Sequence, residues 1–206
     1  MSSIFDLFRK IETEKAPPAP VTHIVAGLGN YGREYEGTRH NAGFSAIDIL
    51  SDRKKLNVTR AKFDALTDET VINGKRILVM KPQLYMNLSG VSVKKAADFY
   101  KIPAENIIVI CDDINLDVGK LRIRRKGSDG GQKGLRNIAE QLETDAFPRI
   151  RVGVGKVPVG GDVVSWVLGR LPADERDTFR HALEKVPDII PLIIDGNIEK
   201  AMCDYN

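Results

Sequence analysis

The sequence is poor in the residues that mark a metal centre or a disulfide framework. Its 206 residues include two cysteines and three histidines. Cys111 and Cys203 have no C-x-x-C partner, and lone cysteines of this kind are more often reduced thiols than halves of a disulfide. The histidines lie far apart and form neither H-E-x-x-H nor a Cys/His cluster, so the sequence predicts no metal site.

Long apolar runs are also missing. No segment approaches the roughly 20 apolar residues that a membrane-spanning helix needs. Residues 1–20 lack the apolar stretch and the small-residue cleavage site of a secretory signal. These absences predict a soluble, cytoplasmic protein with no membrane partner.

The first 20 residues differ in character from the rest of the chain. A short amphipathic pattern runs to Ile11, and residues 16–20 contain three prolines. The remaining length suits one well-buried domain, since domains cluster near about 100–150 residues. We therefore expect an amphipathic, proline-rich extension over residues 1–20 and one globular domain over residues 21–206.

Strand-like and helix-like patterns alternate from residue 22 onward. The predicted strands are residues 22–26, 62–72, 75–80, 106–111, 120–126 and 149–154. The predicted helices are residues 41–53 (with Asn41 or Thr38 as N-cap), 91–100, 135–142, 162–168, 173–195 and 198–203. Asn73-Gly74 predicts a hairpin, whereas Pro187 and Pro191 are expected to kink or break their helix. The pattern predicts an α/β fold, a single domain with a mixed twisted β-sheet and helices on both faces.

Residues 27–32 spell the glycine pattern G-x-G-x-x-G of dinucleotide-binding folds, but their surroundings do not fit one. Such a fold needs the third glycine to open a helix at once and an acidic residue about 20 positions later, at the end of the next strand. Residues 33–37 are loop-like, and Asp48 lies within the predicted helix. We therefore expect no nucleotide cofactor and interpret the glycines as a means of turning the chain sharply after a strand.

Polar side chains follow three of the predicted strands. His40 comes after the first strand, Asn87 lies in a second loop directly before a helix, and Asp112 ends an almost fully apolar strand. Ligands of open α/β sheets bind at this edge. A lone His40 would more often be a structural, hydrogen-bonded histidine, but these neighbours indicate a polar site.

Such a set of side chains supports hydrolysis. A neutral imidazole can take a proton from water, an aspartate on its other nitrogen fixes the tautomer, and carboxamides can donate to an oxyanion. Ser89 lacks the G-x-S-x-G elbow, and Cys111 lies in an apolar strand where a thiol is usually inert. Direct attack of water on an ester or amide is the favoured reaction.

Positive charge is concentrated between residues 119 and 136, where Asp129 is the single acid. The basic residues of this segment are Lys120, Arg122, Arg124, Arg125, Lys126, Lys133 and Arg136. Arg122 and Arg124 are two apart on a strand and so share a face. This pattern has two interpretations. The charges could protect an exposed strand from edge-to-edge pairing, or they could form a phosphate-binding surface.

These residues belong to an ordered series of motifs that resembles the bacterial-type peptidyl-tRNA hydrolase family. The matching segments are residues 27–30, Tyr35 with 38–41, 81–82 with 85–90, 112–113, 130–131 with 134–135, and 147–155. The resemblance implies a metal-independent, usually monomeric, cytoplasmic enzyme that needs no cofactor. Its substrate would be peptidyl-tRNA, whose ester between peptide and tRNA is cleaved to recycle the tRNA during translation.

The resemblance also implies roles for residues at matched positions. His40 would be the general base that activates water, and Asp112 would orient it. Asn30 and Asn87 would hold the carbonyl and the peptide backbone of the substrate.

Other matched positions imply contacts with the two ends of the substrate. Tyr35 and Met86 would line the pocket beside the terminal adenosine and the peptide. Phosphates of the tRNA would meet basic residues at or near Arg122, Arg124 and Arg151. Phosphate contacts give affinity without base readout, which suits an enzyme that accepts many tRNAs.

This sequence departs from the family pattern at three places. Tyr31 replaces a proline, residues 114–117 read Ile-Asn-Leu-Asp instead of Leu-Asp-Leu-Pro, and Gln132 and Lys133 replace a histidine and an asparagine. Lys133 offers donors and no acceptor, so it is a candidate substrate-binding residue toward an oxyanion or a phosphate. The alternative is a catalytically weak homologue that binds tRNA or structured RNA.

Overall fold

Seven strands form one sheet in the computed structural model, which describes residues 19–206. The strands are β1 (Val21–Gly27), β2 (Arg60–Lys62), β3 (Ala65–Ile72), β4 (Lys75–Pro82), β5 (Ile107–Asp113), β6 (Leu121–Arg124) and β7 (Arg149–Gly153). The α-helices are α1 (Ala42–Lys54), α2 (Ser89–Tyr100), α3 (Lys133–Leu142), α4 (Val163–Leu168), α5 (Ala173–Ile194) and α6 (Ile198–Tyr205). The predicted extension over residues 1–20 lies, up to residue 18, outside the described residues.

The order of strands is β2-β3-β4-β1-β5-β7-β6. Strand β1 pairs in parallel with β4 and β5, and β5 pairs in parallel with β7. The pairs β2–β3, β3–β4 and β6–β7 are antiparallel. Because β4, β1, β5 and β7 run in the same direction, the loops that follow them open at one edge of the sheet.

Apolar side chains of the central strands alternate between two buried clusters. Val25, Ile108 and Ile110 belong to the cluster that also holds side chains of α1, α5 and α6. Ile24 and Val109 project to the opposite face, where α2 and α3 pack. Each fully buried side chain of this size stabilises the fold by roughly 1.5–3 kcal/mol. The predicted class, a mixed α/β sheet with helices on both faces, is confirmed.

Two hairpins stand at the β2 end of the sheet, where the sequence predicts one. Asn73 and Gly74 have positive φ values of 49° and 77°, as the predicted hairpin requires. The predicted strand over residues 62–72 is interrupted by Phe63 and Asp64, which also have positive φ, 58° and 52°. The ring of Phe63 packs 5.3 Å from that of Phe99 on α2. A contact with a distant element therefore accompanies a turn that lacks a local turn signature.

Helix α5 continues through Pro187 and Pro191, so of the predicted kink or break the break is wrong. Each proline removes one backbone hydrogen bond of the helix. Val186 and Ile190 beside them are completely buried against the sheet, and this packing holds the helix together. None of the helices in residues 19–206, α5 included, is long and apolar enough to cross a membrane.

The glycine pattern after β1 does not open an α-helix. Gly32, at φ 111°, precedes a short 3-10 turn over Arg33–Tyr35, and α1 begins only at Ala42. Gly29 has a different role, because a Cβ atom there would lie 2.6 Å from Cγ of Phe44 on α1. The sharp turn is made at Gly32, whereas Gly29 lets helix α1 approach the end of β1.

Candidate active site

His40 and Asp112 meet at the common edge of the parallel strands. His40 lies in a 3-10 turn over Arg39–Asn41, directly before α1, and Asp112 lies at the end of β5. His40 Nδ1 is 2.9 Å from Oδ2 of Asp112, and the two side chains are 13% and 3% exposed. A carboxylate only accepts hydrogen bonds, so Nδ1 carries the proton. The lone pair of the neutral ring is then on Nε2, which suits a base.

Asn30 is held rigidly after β1. The side chain of Asn41 accepts from the Asn30 backbone N–H at 2.8 Å and donates to the Asn30 carbonyl at 3.0 Å. Asn41 therefore clamps this loop. It occupies the N-cap position of α1, one of the two predicted caps, but its side chain makes no capping hydrogen bond, and Thr38 precedes the 3-10 turn instead. The Asn30 Oδ1 accepts from the Met86 backbone N–H at 2.8 Å. This contact leaves the Asn30 amide N–H groups as the available donors.

A cleft of about 370 Å³ opens over these residues. The polar lining includes Asn30, His40, Asn87, Asp112, Asp113, Gln132, Lys133 and Arg151. The apolar lining includes Tyr85, Met86, Ile114, Val163, Val164, Val167 and Leu168. The polar wall can thus transfer protons and form hydrogen bonds with a ligand, while the apolar wall can contact its apolar groups.

Most of the candidate substrate-binding residues line this cleft, but Tyr35 does not. Met86 is 3% exposed, whereas Asn87 and Lys133 are exposed to solvent. Tyr35 lies in the turn after Gly32, is half-buried and accepts a hydrogen bond from the Thr38 hydroxyl through its carbonyl at 2.7 Å. It is not among the residues that line the cleft.

Neither alternative nucleophile has access to the cleft. Ser89 is completely buried, and its hydroxyl donates to the Met86 carbonyl at 2.8 Å. Cys111 is also completely buried, and this burial raises the pKa of its thiol far above the usual range. A thiol that stays protonated is a poor nucleophile. The geometry therefore favours attack by water.

Helix α4 is fastened over the cleft by Arg39, the neighbour of His40. The guanidinium carbon of Arg39 lies 3.8 Å from the centroid of the Trp166 ring. The same group donates to the carbonyls of Val154 at 3.2 Å and Arg170 at 2.9 Å. Its burial lowers the pKa of the Arg39 side chain. This arginine joins the histidine turn to the apolar wall.

Four arginines share one face of the β6–β7 pair. Arg122 stands opposite Arg151, and Arg124 opposite Arg149. Leu121 and Ile123 of β6 point into the cluster around α5, so the arginines project to the other face. Like charges directly across two strands are destabilising. Their presence in the fold is consistent with a polyanionic ligand.

The four arginines differ in their surroundings. Arg122 and Arg124 are exposed. Arg151 lines the cleft, where its Nε lies 3.1 Å from Oδ2 of Asp113. Arg149 is 1% exposed, and it donates to the carbonyls of Phe147 at 3.0 Å and Asp145 at 2.7 Å. Burial lowers the pKa of Arg149.

Sequence reasoning did not assign site contacts to Arg39 and Gln132. Arg39 had one available signal, its position next to His40. The Gln132 amide donates to Asp112 Oδ1 at 3.0 Å, a contact that depends on how α3 docks on the sheet. Within residues 19–206, no group of three or more histidine, cysteine, aspartate or glutamate side chains is arranged to hold a metal ion.

A histidine–carboxylate pair beside carboxamide donors, in a cleft at the carboxyl edge of an α/β sheet, is an arrangement typical of hydrolases. The family model described as peptidyl-tRNA hydrolase matches residues 24–206. The chain belongs to the peptidyl-tRNA hydrolase family.

Individual relatives agree with this assignment. The chain is 48% identical over 184 residues to the peptidyl-tRNA hydrolase of Caldanaerobacter subterraneus subsp. tengcongensis, which covers 89% of this chain and 99% of that protein. The corresponding enzyme of Lachnospira eligens is 47% identical with the same coverage. The crystal structure of peptidyl-tRNA hydrolase from Acinetobacter baumannii superposes with a TM-score of 0.84 at 32% identity, covering 90% of this chain and 96% of that one.

Proposed function

We propose that His40 is the general base that activates water in this chain. As a member of the peptidyl-tRNA hydrolase family, the chain cleaves the ester of peptidyl-tRNA. The observation that carries the proposal is the contact of 2.9 Å between His40 Nδ1 and Asp112 Oδ2 at the cleft. This contact leaves Nε2 of the neutral imidazole with its lone pair. Asp112 stabilises the imidazolium as it forms.

The reaction proceeds by addition and elimination. Nε2 of His40 takes a proton from water while the water oxygen bonds to the ester carbonyl carbon. The tetrahedral intermediate carries its negative charge on the former carbonyl oxygen. When it collapses, the bond to the ribose oxygen breaks and the imidazolium returns the proton to that oxygen. The products are the peptide carboxylic acid, which then ionises, and tRNA with a free terminal hydroxyl.

Donors from three elements support the intermediate and the substrate. The Asn30 amide is available because its oxygen is already used by Met86. Asn87 and Lys133 line the same cleft. We assign Asn30 and Asn87 to the peptide backbone and carbonyl, and Lys133 to the developing oxyanion. Tyr35 lies outside the cleft lining, so we assign it no contact with the bound peptide.

The two ends of the substrate then lie on different surfaces. The apolar wall formed by α4 and Met86 suits the peptide, and the exposed Arg122 and Arg124 suit tRNA phosphates. Arg151 lies between them, because it lines the cleft and stands opposite Arg122. We further propose a monomeric, cytoplasmic enzyme whose hydrolase domain spans residues 21–206 and carries residues 1–20 as an extension.

The experiment that tests this function compares two substrates on the purified full chain. An N-blocked aminoacyl-tRNA should release tRNA rapidly. The same aminoacyl-tRNA with a free α-amino group should react more slowly, because its ammonium would approach Lys133 in the cleft. Release of tRNA no faster than in buffer alone, with the N-blocked substrate, would contradict the proposal.

A further inference from the structure

Gln132 joins the start of α3 to the carboxylate of Asp112. The side chain is 7% exposed and occupies the N-cap position of α3. Its Oε1 accepts from the Leu135 backbone N–H at 2.8 Å. Its Nε2 donates to Asp112 Oδ1 at 3.0 Å and lies 3.1 Å from Met86 Sδ. Both ends of one amide are therefore engaged.

The orientation of this amide is determined by its partners. A backbone N–H can only donate and a carboxylate can only accept, so the oxygen must face Leu135 and the nitrogen must face Asp112. Rotating the amide by half a turn would lose both hydrogen bonds. The helix cap and the contact with Asp112 thus hold each other in place.

Each oxygen of Asp112 has its own donor. Oδ2 accepts a hydrogen bond from Nδ1 of His40, and Oδ1 accepts one from the Gln132 amide. The Asp112 side chain is 3% exposed, so water contributes little to its orientation. A carboxylate held at both oxygens cannot rotate away from the imidazole without breaking a buried hydrogen bond, which is costly.

We propose that Gln132 is a positioning residue for the reaction, which aligns Asp112 with His40 through a side chain that carries no charge. The inference rests on the proposed function of His40. The neutral amide stabilises the Asp112 carboxylate without adding a group that titrates. The acidic limb of the pH–rate profile then depends on His40 and not on a second proton at position 132.

Several charged groups face the Gln132 side chain, and each of them can contribute to the pH dependence of the reaction. They come from the histidine turn, from β5, from α3 and from β7: His40, Asp112, Asp113, Lys133 and Arg151. Asp113 is already paired with Arg151, and Lys133 is exposed. Replacing Gln132 by Glu changes the partner of Asp112 Oδ1 and keeps an acceptor for the Leu135 N–H, whereas an apolar replacement removes both contacts.

The variant Gln132→Glu separates the two contacts of this side chain. A carboxylate keeps an acceptor for the Leu135 N–H, so the cap of α3 survives. It places an oxygen instead of an N–H against Asp112. We expect a folded protein whose kcat at pH 8 falls at least about tenfold with KM little changed, since the positioned base is needed in the transition state. The acidic limb should move to higher pH, because the added negative charge favours protonated His40.

A second variant and a control complete the test. Gln132→Met removes the donor to Asp112 without adding charge, and it should also lower kcat and move the acidic limb upward. Asn137→Ala removes another amide of α3, whose Oδ1 accepts from the Gly90 N–H at 2.9 Å without reaching Asp112. This control should lower the melting temperature and leave the acidic limb unchanged.

The titration of the His40 ring by NMR, without substrate, gives a readout that does not depend on hydrolysis. Its midpoint should lie at higher pH in both Gln132 variants than in the unaltered chain. Folded Gln132 variants with unchanged kcat, acidic limb and His40 midpoint would overturn the positioning role. If the unaltered chain failed to hydrolyse the substrate, the proposed function would fail, and the NMR midpoints would still decide whether Gln132 acts on His40 through Asp112.

Discussion

The Lys133 side chain and the N-terminus of α3 both give positive potential at one wall of the cleft. Lys133 is the first residue of α3, where the helix dipole already disfavours a cation by about 0.3–1 kcal/mol. The other cation of this turn, Arg136, is engaged by Asp129 at 3.3 Å, a pairing that lowers the pKa of Asp129. Lys133 faces the cleft instead. An anion at that wall would be stabilised by both the side chain and the helix terminus.

We expect Lys133→Met to lower kcat about tenfold or more with little change in KM, as for the loss of an oxyanion donor. Its unfolding free energy in urea should stay the same or rise, because an unfavourable cation leaves the helix start. Steady-state kinetics and urea unfolding measure the two effects. Lys185→Met, on the exposed side of α5, is the matched control. A rise in KM with unchanged kcat would assign Lys133 to a phosphate and contradict the oxyanion role.

Individual site residues differed in how far the sequence could reveal them. His40, Asn87 and Asp112 could be selected because each follows a strand of a sheet whose carboxyl edge binds ligands. Gln132 could not, because its contact with Asp112 is set by the docking of α3. Tyr35 was expected in the pocket by resemblance; it lies in the 3-10 turn after Gly32 and is not among the residues that line the cleft, so its contact with the substrate stays a prediction.

Strand β6 presents its arginines on the face of the sheet opposite to its buried apolar side chains. Leu121 and Ile123 supply the buried contacts of the strand, whereas the side chains of Arg122 and Arg124 are exposed and can meet a ligand. The Ile123 backbone N–H is satisfied by the side chain of Asn206 at 2.6 Å. An edge strand whose backbone is partly covered and whose exposed side chains are cationic suits a phosphate backbone.

Arg122→Gln and Arg124→Gln should each weaken tRNA binding and reduce the slope of log K against log salt by about one. Their kcat at saturating substrate should stay unchanged, because neither side chain lines the cleft. Binding of tRNA measured at several salt concentrations checks the slope. Arg180→Gln, an exposed arginine on α5 paired with Glu184, serves as the control and should leave the slope unaltered. Equal slopes for all four proteins would show that β6 does not bind the phosphates.

Elements with a strong local pattern could be predicted, and those set by distant contacts could not. The hairpin at Asn73-Gly74 follows from residues that tolerate positive φ. The additional turn at Phe63 is accompanied by packing against Phe99, which is 36 positions away in the sequence. Helix α5 survives its two prolines because the sheet buries Val186 and Ile190. Tertiary packing overrode the local preference in both cases.

At the scale of the whole molecule, the parallel core explains why residues far apart in sequence form one site. The loops after β1, β4 and β5 all open at the same edge of the sheet, and α3 and α4 complete the walls of the cleft. The shared edge of the parallel strands thus brings His40 to Asp112, which is 72 positions away in the sequence. Alternating strand and helix patterns made the sheet predictable, but the docking of α3 and α4 required the folded structure.

The role of His40 is tested by the rate at which N-blocked aminoacyl-tRNA releases tRNA with His40→Ala compared with the unaltered chain. Loss of the base should lower kcat by about 100-fold or more at neutral pH, with KM nearly unchanged. His181→Ala, which changes an exposed histidine on α5, should retain the original rate. Equal rates for His40→Ala and the unaltered chain would show that His40 does not activate the water.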